Sequence, residues 1–223
     1  EGAPESKMTV VHNGVDLSIF HPSPPTHHQP YRLVFAGALV PDKGLHLLLS
    51  AFVELKSKYP QLELEVFGSS SLWSRSDYLN TEQLAAQIPG LIFHGKRTQR
   101  EIAEGFRRAG ICVVPSIWFD PYPLISLEAQ ACGAPVVAFR MGGLPEGIVP
   151  GKTGVVVDEI SPQALTRALD HLLAEPHKLS EMSAHAASNA ATAFRWETVV
   201  EKILSVCEPS RGSTVRRVPI ELK

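Results

Sequence analysis

The stretch YRLVFAGALVPDKGLHLLLSAFVELKSKY, Tyr31 to Tyr59, reads as a strand, a turn and a helix in direct succession. YRLVFAG is an apolar run too short for a helix, and it ends at glycine. Pro41, Asp42 and Gly44 supply turn chemistry. From Gly44 to Tyr59 the apolar residues Leu45, Leu48, Leu49, Phe52 and Leu55 recur at helical spacing, so one face of this segment belongs to a core. The unit is β-α, and its strand carries no polar alternation, as a strand covered on both faces requires.

The pattern repeats along the chain. Leu62 to Gly68, Leu91 to Gly95, Ile111 to Ser116, Pro135 to Phe139 and Thr153 to Asp158 are further strands, separated by segments with helical periodicity. Thr98 suits the N-cap of a helix running to Ala109, Pro123 the first turn of a helix that Gly133 stops, and Ser161-Pro162 the start of a helix through Leu173. A short helix ends before Ile88-Pro89, and two more, Lys178 to Ala193 and Trp196 to Val206, close the chain. Strands alternating with helices predict an α/β domain with a doubly wound parallel sheet, because parallel neighbours need crossovers. Ahead of Tyr31, Val10 and Val11 read as the end of a short strand, and His21 to Pro30 as an extended proline-rich connector. The organisation expected is an interdomain segment and connector over 1–30, a ligand-binding domain over 31–207, and a polar tail over 208–223.

Bulk composition narrows the function. The 223 residues are 44% apolar with a net charge of −2, so neither a nucleic-acid-binding surface nor a polybasic membrane anchor has compositional support. Cys112, Cys132 and Cys207 are odd in number and in no Cys-x-x-Cys spacing, which argues against disulfides or zinc and for a reducing, cytoplasmic setting. No apolar run reaches the roughly 20 residues that span a bilayer, and Glu1 in place of an initiator methionine suggests a fragment.

In an open α/β sheet the ligand sits beyond the carboxyl ends of the strands. The loops to consider are therefore Gly37 to Gly44, Gly68 to Asp77, His94 to Thr98, Ser116 to Pro123 and Arg140 to Glu146. Lys43 stands just before a helix N-terminus, where the dipole and free amides also favour an anion, so phosphate is the natural guest. Asp120 lies in the loop after the fourth strand and Glu128 in the first two turns of the next helix; both can face one cleft, and a carboxylate is a usual acceptor for a ribose diol. Each also has an ordinary explanation, Lys43 as a solvated lysine and the acids as a turn residue and a surface helix residue. Other signals fail: Gly151-Lys152-Thr153 lacks the upstream glycine of a P-loop and precedes a strand, no Gly-x-Gly-x-x-Gly or Gly-x-Ser-x-Gly occurs, no Asp-x-Asp clamp for Mg²⁺ is present, and the nine histidines show no metal-ligand spacing. No metal is expected. Phe67, Trp118 and Phe119 are expected to pack in the core or its loops.

Five segments, in order, carry a resemblance: HNGVD (12–16), GALVPDKG (37–44), VVPS (113–116), DPYPLISLEAQACGAPVVA (120–138) and GGLPE (142–146), with GKTGVVV and FRWE agreeing downstream. The chain resembles the C-terminal, donor-binding half of retaining glycosyltransferases of the GT-B fold, glycosyltransferase family 4, over about Val10 to Val206. The resemblance implies one Rossmann-like half of that fold, binding a nucleotide-diphosphate sugar with no cofactor. Asp120 and Glu128 occupy the family's pair of acids separated by seven residues, which implies that Glu128 holds the ribose while Asp120 meets hydroxyls of the donor sugar. Lys43 is implied to compensate charge on the leaving diphosphate, with Lys43 and Asp120 as the catalytic pair. The rest of the implied donor site is Gly37 and Ala38 in the first loop, His94 and Gly95 in the loop around His94 to Lys96 expected near the base, Tyr122, Pro123, Leu124 and Ile125, and Gly142 and Gly143 beside the sugar. Transfer is implied to proceed by front-face displacement, the leaving phosphate helping to deprotonate the acceptor.

Three departures stand out. Ala38 replaces an arginine common in the family and removes one of two cations, Asp120 is one methylene shorter than the usual glutamate, and Pro123 lacks the amide that a glycine would offer. An N-terminal half that would bind the acceptor is also missing, so the chain is expected to bind donor but transfer poorly alone, and any peripheral membrane association is expected to run through that missing half. Two alternatives remain: a nucleotide-sugar sensor or inactive partner subunit, suggested by Ala38, and a relative of the GT-B UDP-sugar epimerases.

Overall fold

A computed structural model describes residue 4 and residues 8–22, 29–69 and 81–207. The polar tail, most of the proline-rich connector and most of the loop after the second strand lie outside these residues. Six strands, all parallel, form one sheet: β1 (Gln29–Ala36), β2 (Glu63–Phe67), β3 (Leu91–Gly95), β4 (Ala109–Val114), β5 (Val136–Phe139) and β6 (Gly154–Val157), in the order β3-β2-β1-β4-β5-β6. The helices are α1 (Leu45–Lys58), α2 (Thr81–Gln87), α3 (Gln99–Arg108), α4 (Leu124–Ala131), α5 (Pro162–Leu173), α6 (Pro176–Ala193) and α7 (Trp196–Cys207). This is the doubly wound, Rossmann-like α/β architecture.

Strand alternation builds two cores from one sheet. Leu33 and Phe35 of β1, Ile111 and Val113 of β4, and Val137 and Phe139 of β5 point to one face, where α1 and α5 cover them with Leu48, Phe52, Leu165 and Leu169. The intervening Val34, Ala36, Cys112, Val114 and Val136 point to the other face, under Phe106 of α3 and Leu127 of α4. Because both faces are covered, the strands read as continuous apolar runs. The helix ends follow the residues that predicted them. Thr98 accepts from the Glu101 amide while the Glu101 carboxylate accepts from the Thr98 amide at 2.9 Å, a reciprocal capping box. Ser161 caps α5 through the Ala164 amide at 3.1 Å.

Val10 and Val11 do not end a strand. Val10 is exposed, and the segment joins no sheet edge. Instead the chain runs to the start of α7, where Val15 forms an isolated bridge with Arg195 and its N–H donates to the Phe194 carbonyl at 2.8 Å. Two apolar residues without a pairing partner cannot hold a strand.

Candidate active site

The strand order reverses between β1 and β4, and a cleft of about 460 Å³ opens there, at the carboxyl ends of these two strands. Its volume suits a small-molecule ligand. Phe35, Ala36 and Gly37 from the end of β1 form one wall, and Val114 and Ser116 from the end of β4 form the floor. Tyr122, Pro123, Leu124 and Ile125, at the start of α4, close the opposite side, and Asn13 reaches in from the N-terminal segment. Of the two ionised groups lining the cleft, Lys43 donates to Asp120 Oδ2 at 3.0 Å, so the pair is internally neutral.

Lys43 is placed by backbone. It ends a short 3₁₀ turn, Pro41–Lys43, whose Asp42 carbonyl accepts the amides of Ile117 and Trp118 at 2.9 and 3.2 Å, tying the first loop to the fourth. Gly44 follows with φ +69°, and a Cβ there would lie 1.8 Å from the Pro115 carbonyl oxygen. A side chain at this point clashes with backbone and occupies a left-handed conformation costly to L-residues. Gly44→Ala is therefore expected to destabilise the chain by about 2 kcal/mol or more, read as a lower urea midpoint at unchanged slope.

Asp120 is placed the same way. The Gly143 amide donates to the Asp120 carbonyl at 2.8 Å, and a Cβ on Gly143 would fall 1.7 Å from the Pro121 oxygen. A Cβ on Gly142 would fall 2.1 Å from the Asp120 carbonyl oxygen. Within the described residues, then, Gly142 and Gly143 brace the Asp120 loop from behind and are not part of the cleft lining. Pro123 is the N-cap of α4 and supplies no side-chain cap, which leaves the first-turn amides of the helix beside the cleft that Leu124 and Ile125 line.

Glu128 is one turn further along the same helical face as Leu124 and Ile125. It does not line the cleft directly. Its carboxyl is half-buried, makes no hydrogen bond or ion pair among the described residues, and is pushed up to about 7 by desolvation. A desolvated carboxyl beside a cleft is a candidate for a functional role.

His94 departs from expectation. As a residue of β3 it turns onto the sheet face under α3, where its Nε2 lies 2.9 Å from Glu65 Oε2 and its ring stacks on Phe67 with centroids 4.4 Å apart. Strand alternation decides this: the side chain before the strand's last residue points across the sheet and not beyond its end. Glu65 is itself buried, held by Arg32 at 2.8 Å and Arg108 at 3.3 Å as well as by His94. Gly95 faces open space, with nothing within 4 Å of where its Cβ would be. Ala38 does not line the cleft. Trp118 and Phe119, expected to pack, are 57% and 74% exposed. The Ile117 and Trp118 amides are tied down at the Asp42 carbonyl, and both rings remain exposed.

Reading residues alone missed Asn13, Phe35, Ala36, Val114 and Ser116. The signals were there, since HNGVD and VVPS stand out as motifs, but nothing local says that residue 13 returns to the ends of β1 and β4.

A family model for glycosyl transferases group 1 matches residues 18–192. Among curated proteins, D-inositol 3-phosphate glycosyltransferase of Corynebacterium jeikeium is 36% identical over 194 residues, covering 83% of this chain and 45% of the relative. The enzyme of the same name from Frankia alni is 34% identical over 217 residues, covering 91% and 53%. The chain spans about half the length of the curated relatives it matches. Among solved structures, sucrose-phosphate synthase from Thermosynechococcus elongatus superposes with a TM-score of 0.74 at 25% identity, over 88% of this chain and 51% of that one. Anabaena HepE in complex with UDP-glucose superposes with a TM-score of 0.75 at 23% identity, over 88% and 56%, a likeness of fold. A six-stranded doubly wound sheet, a cleft at its switch point, and a family match across most of the chain agree: this protein belongs to the glycosyl transferases group 1 family.

Proposed function

We propose that this chain is the donor-binding half of a glycosyltransferase, holding a nucleotide-diphosphate sugar in the cleft between the carboxyl ends of β1 and β4. The observation that carries the reading is the charge arrangement. Lys43 and the uncapped start of α4 face the cleft from two sides, while Glu128, a desolvated carboxyl without a protein partner, waits one turn deeper. A diphosphate satisfies the first pair and a ribose diol the last. Asp120, released from Lys43, is then free to accept from hydroxyls of the sugar. HepE, solved with UDP and with UDP-glucose, supports a nucleotide-sugar ligand on this fold.

In this reading Lys43 offsets the charge that develops on the leaving diphosphate. The sugar is transferred with retention, the leaving phosphate taking up the acceptor proton. With Lys43 in that role, no resident metal is needed at the diphosphate. The acceptor belongs to the other half of the enzyme. Trp196, Val200, Ile203 and Leu204 form an exposed apolar stripe on α7, at the helical spacing of a single face, and we place that half against it.

Calorimetric titration with UDP, GDP and ADP tests the reading. One nucleotide is expected to bind the 223-residue chain saturably, and binding of none of the three sinks the proposal. Sugar transfer by this chain alone is expected to be slow, because one wall of the catalytic cleft is lacking; fast turnover without a second polypeptide contradicts that part. An inactive nucleotide-sugar-binding subunit would share every contact of the cleft, and release of nucleotide on turnover by the longer enzyme distinguishes the two.

A further inference from the structure

We infer that His12 is a positioning residue for the donor cleft, setting the Tyr122 wall from outside through a ring contact with Tyr122 and a bond to Glu146. The inference rests on the donor-binding reading above. His12 Nε2 lies 2.6 Å from Glu146 Oε2, and the His12 ring meets the Tyr122 ring at a centroid distance of 4.4 Å and a tilt of 35°. Three segments remote in sequence thus converge outside the cleft, and only Tyr122 of the three residues lines it. Tyr122 is half-buried, its hydroxyl end lies beside Gly147, and the His12 ring packs against its ring.

The segment that carries His12 is anchored. Two residues on, Gly14 packs so closely on the α7 entrance that a Cβ would lie 2.9 Å from the Trp196 ring, and Val15 is bonded to Phe194. On the other side, Glu146 belongs to the 3₁₀ turn Leu144–Gly147, which Gln130 of α4 holds by donating to the Gly147 carbonyl at 2.8 Å. His12 therefore bridges two anchored segments, and Asn13, its neighbour, enters the cleft. Removing the imidazole frees one face of Tyr122 and loosens Asn13 without deleting any group that touches donor.

The test is nucleoside diphosphate affinity by calorimetry, using whichever of UDP, GDP and ADP binds the parent chain tightest. His12→Ala is expected to weaken binding about five- to tenfold. The His12→Ala/Glu146→Ala double variant is expected to bind no worse than His12→Ala, because the two act through one contact. His12→Gln, which keeps a donor for Glu146 but no ring against Tyr122, is expected to lose as much as His12→Ala and serves if the latter does not fold. A variant that melts lower but binds as the parent does assigns His12 to stability alone and overturns the inference. If His12→Ala and Glu146→Ala weaken binding additively, the shared contact is overturned. Should the parent chain bind none of the three nucleotides, the donor reading itself falls and the inference with it.

Discussion

Glu128→Gln is expected to make the unliganded chain more stable at pH 8 and to weaken nucleotide binding. The carboxyl stands at about 7 in the folded chain against an ordinary 4.5, raised by burial. Between those values the folded state binds more protons than the unfolded one, so stability from this group is complete below about 4.5 and is lost as pH rises through about 7. Above that, the folded chain carries an unpartnered, desolvated charge. After allowance for its partial exposure, the cost is about 2 kcal/mol, and glutamine removes it. The gain should therefore appear as a higher melting temperature at pH 8 and vanish near pH 4. Binding should move the other way. A ribose diol donates best to the ionised carboxylate, so the parent's affinity is expected to fall as pH drops below about 7, while the glutamine variant, about 10- to 100-fold weaker at pH 8, loses that dependence. Equal affinity of variant and parent at pH 8 would remove Glu128 from the site.

Substitutions at Lys43 and Asp120 are expected to shift nucleoside diphosphate affinity in opposite directions. In the free chain each neutralises the other at 3.0 Å, and both side chains are partly buried, so the pair is screened less than a surface bridge. A diphosphate competes with Asp120 for the ammonium. Lys43→Met leaves Asp120 as an uncompensated negative charge in the cleft, and affinity is expected to fall about 10- to 100-fold. Asp120→Asn frees Lys43 for phosphate, and UDP, GDP or ADP without sugar is expected to bind about threefold or more tighter. The sugar-bearing donor should gain less, since it loses a hydroxyl acceptor. Parallel losses at both positions would mean that the pair is a structural bridge.

Much of the fold is legible in the residues because it rests on local rules. Apolar runs of strand length, helices with one apolar face, and the caps Thr98 and Ser161 declare six strands and their crossovers, and alternation within each run assigns its side chains to two cores. Where the local rule has nothing to act on, it misleads, as at Val10 and Val11, which are apolar but have no edge to join; His94 obeys the strand period, and so turns across the sheet to Glu65 and not past its end. The exposed Trp118 and Phe119 belong with these, since the Asp42 carbonyl that holds the start of their loop, through the Ile117 and Trp118 amides, lies more than seventy residues away.

The residues alone establish a doubly wound parallel domain, a lysine before the first helix, and two acids across the turn into the fourth, since each depends on neighbours within a few positions. Only the tertiary structure decides that β1 lies against β4, and with it that Lys43 meets Asp120, that Asn13 enters the same cleft, and that Gly142 and Gly143 stand behind Asp120 while Glu128 is left without a partner. Strand order is a global compromise among helix packings on both faces, and no short segment carries it.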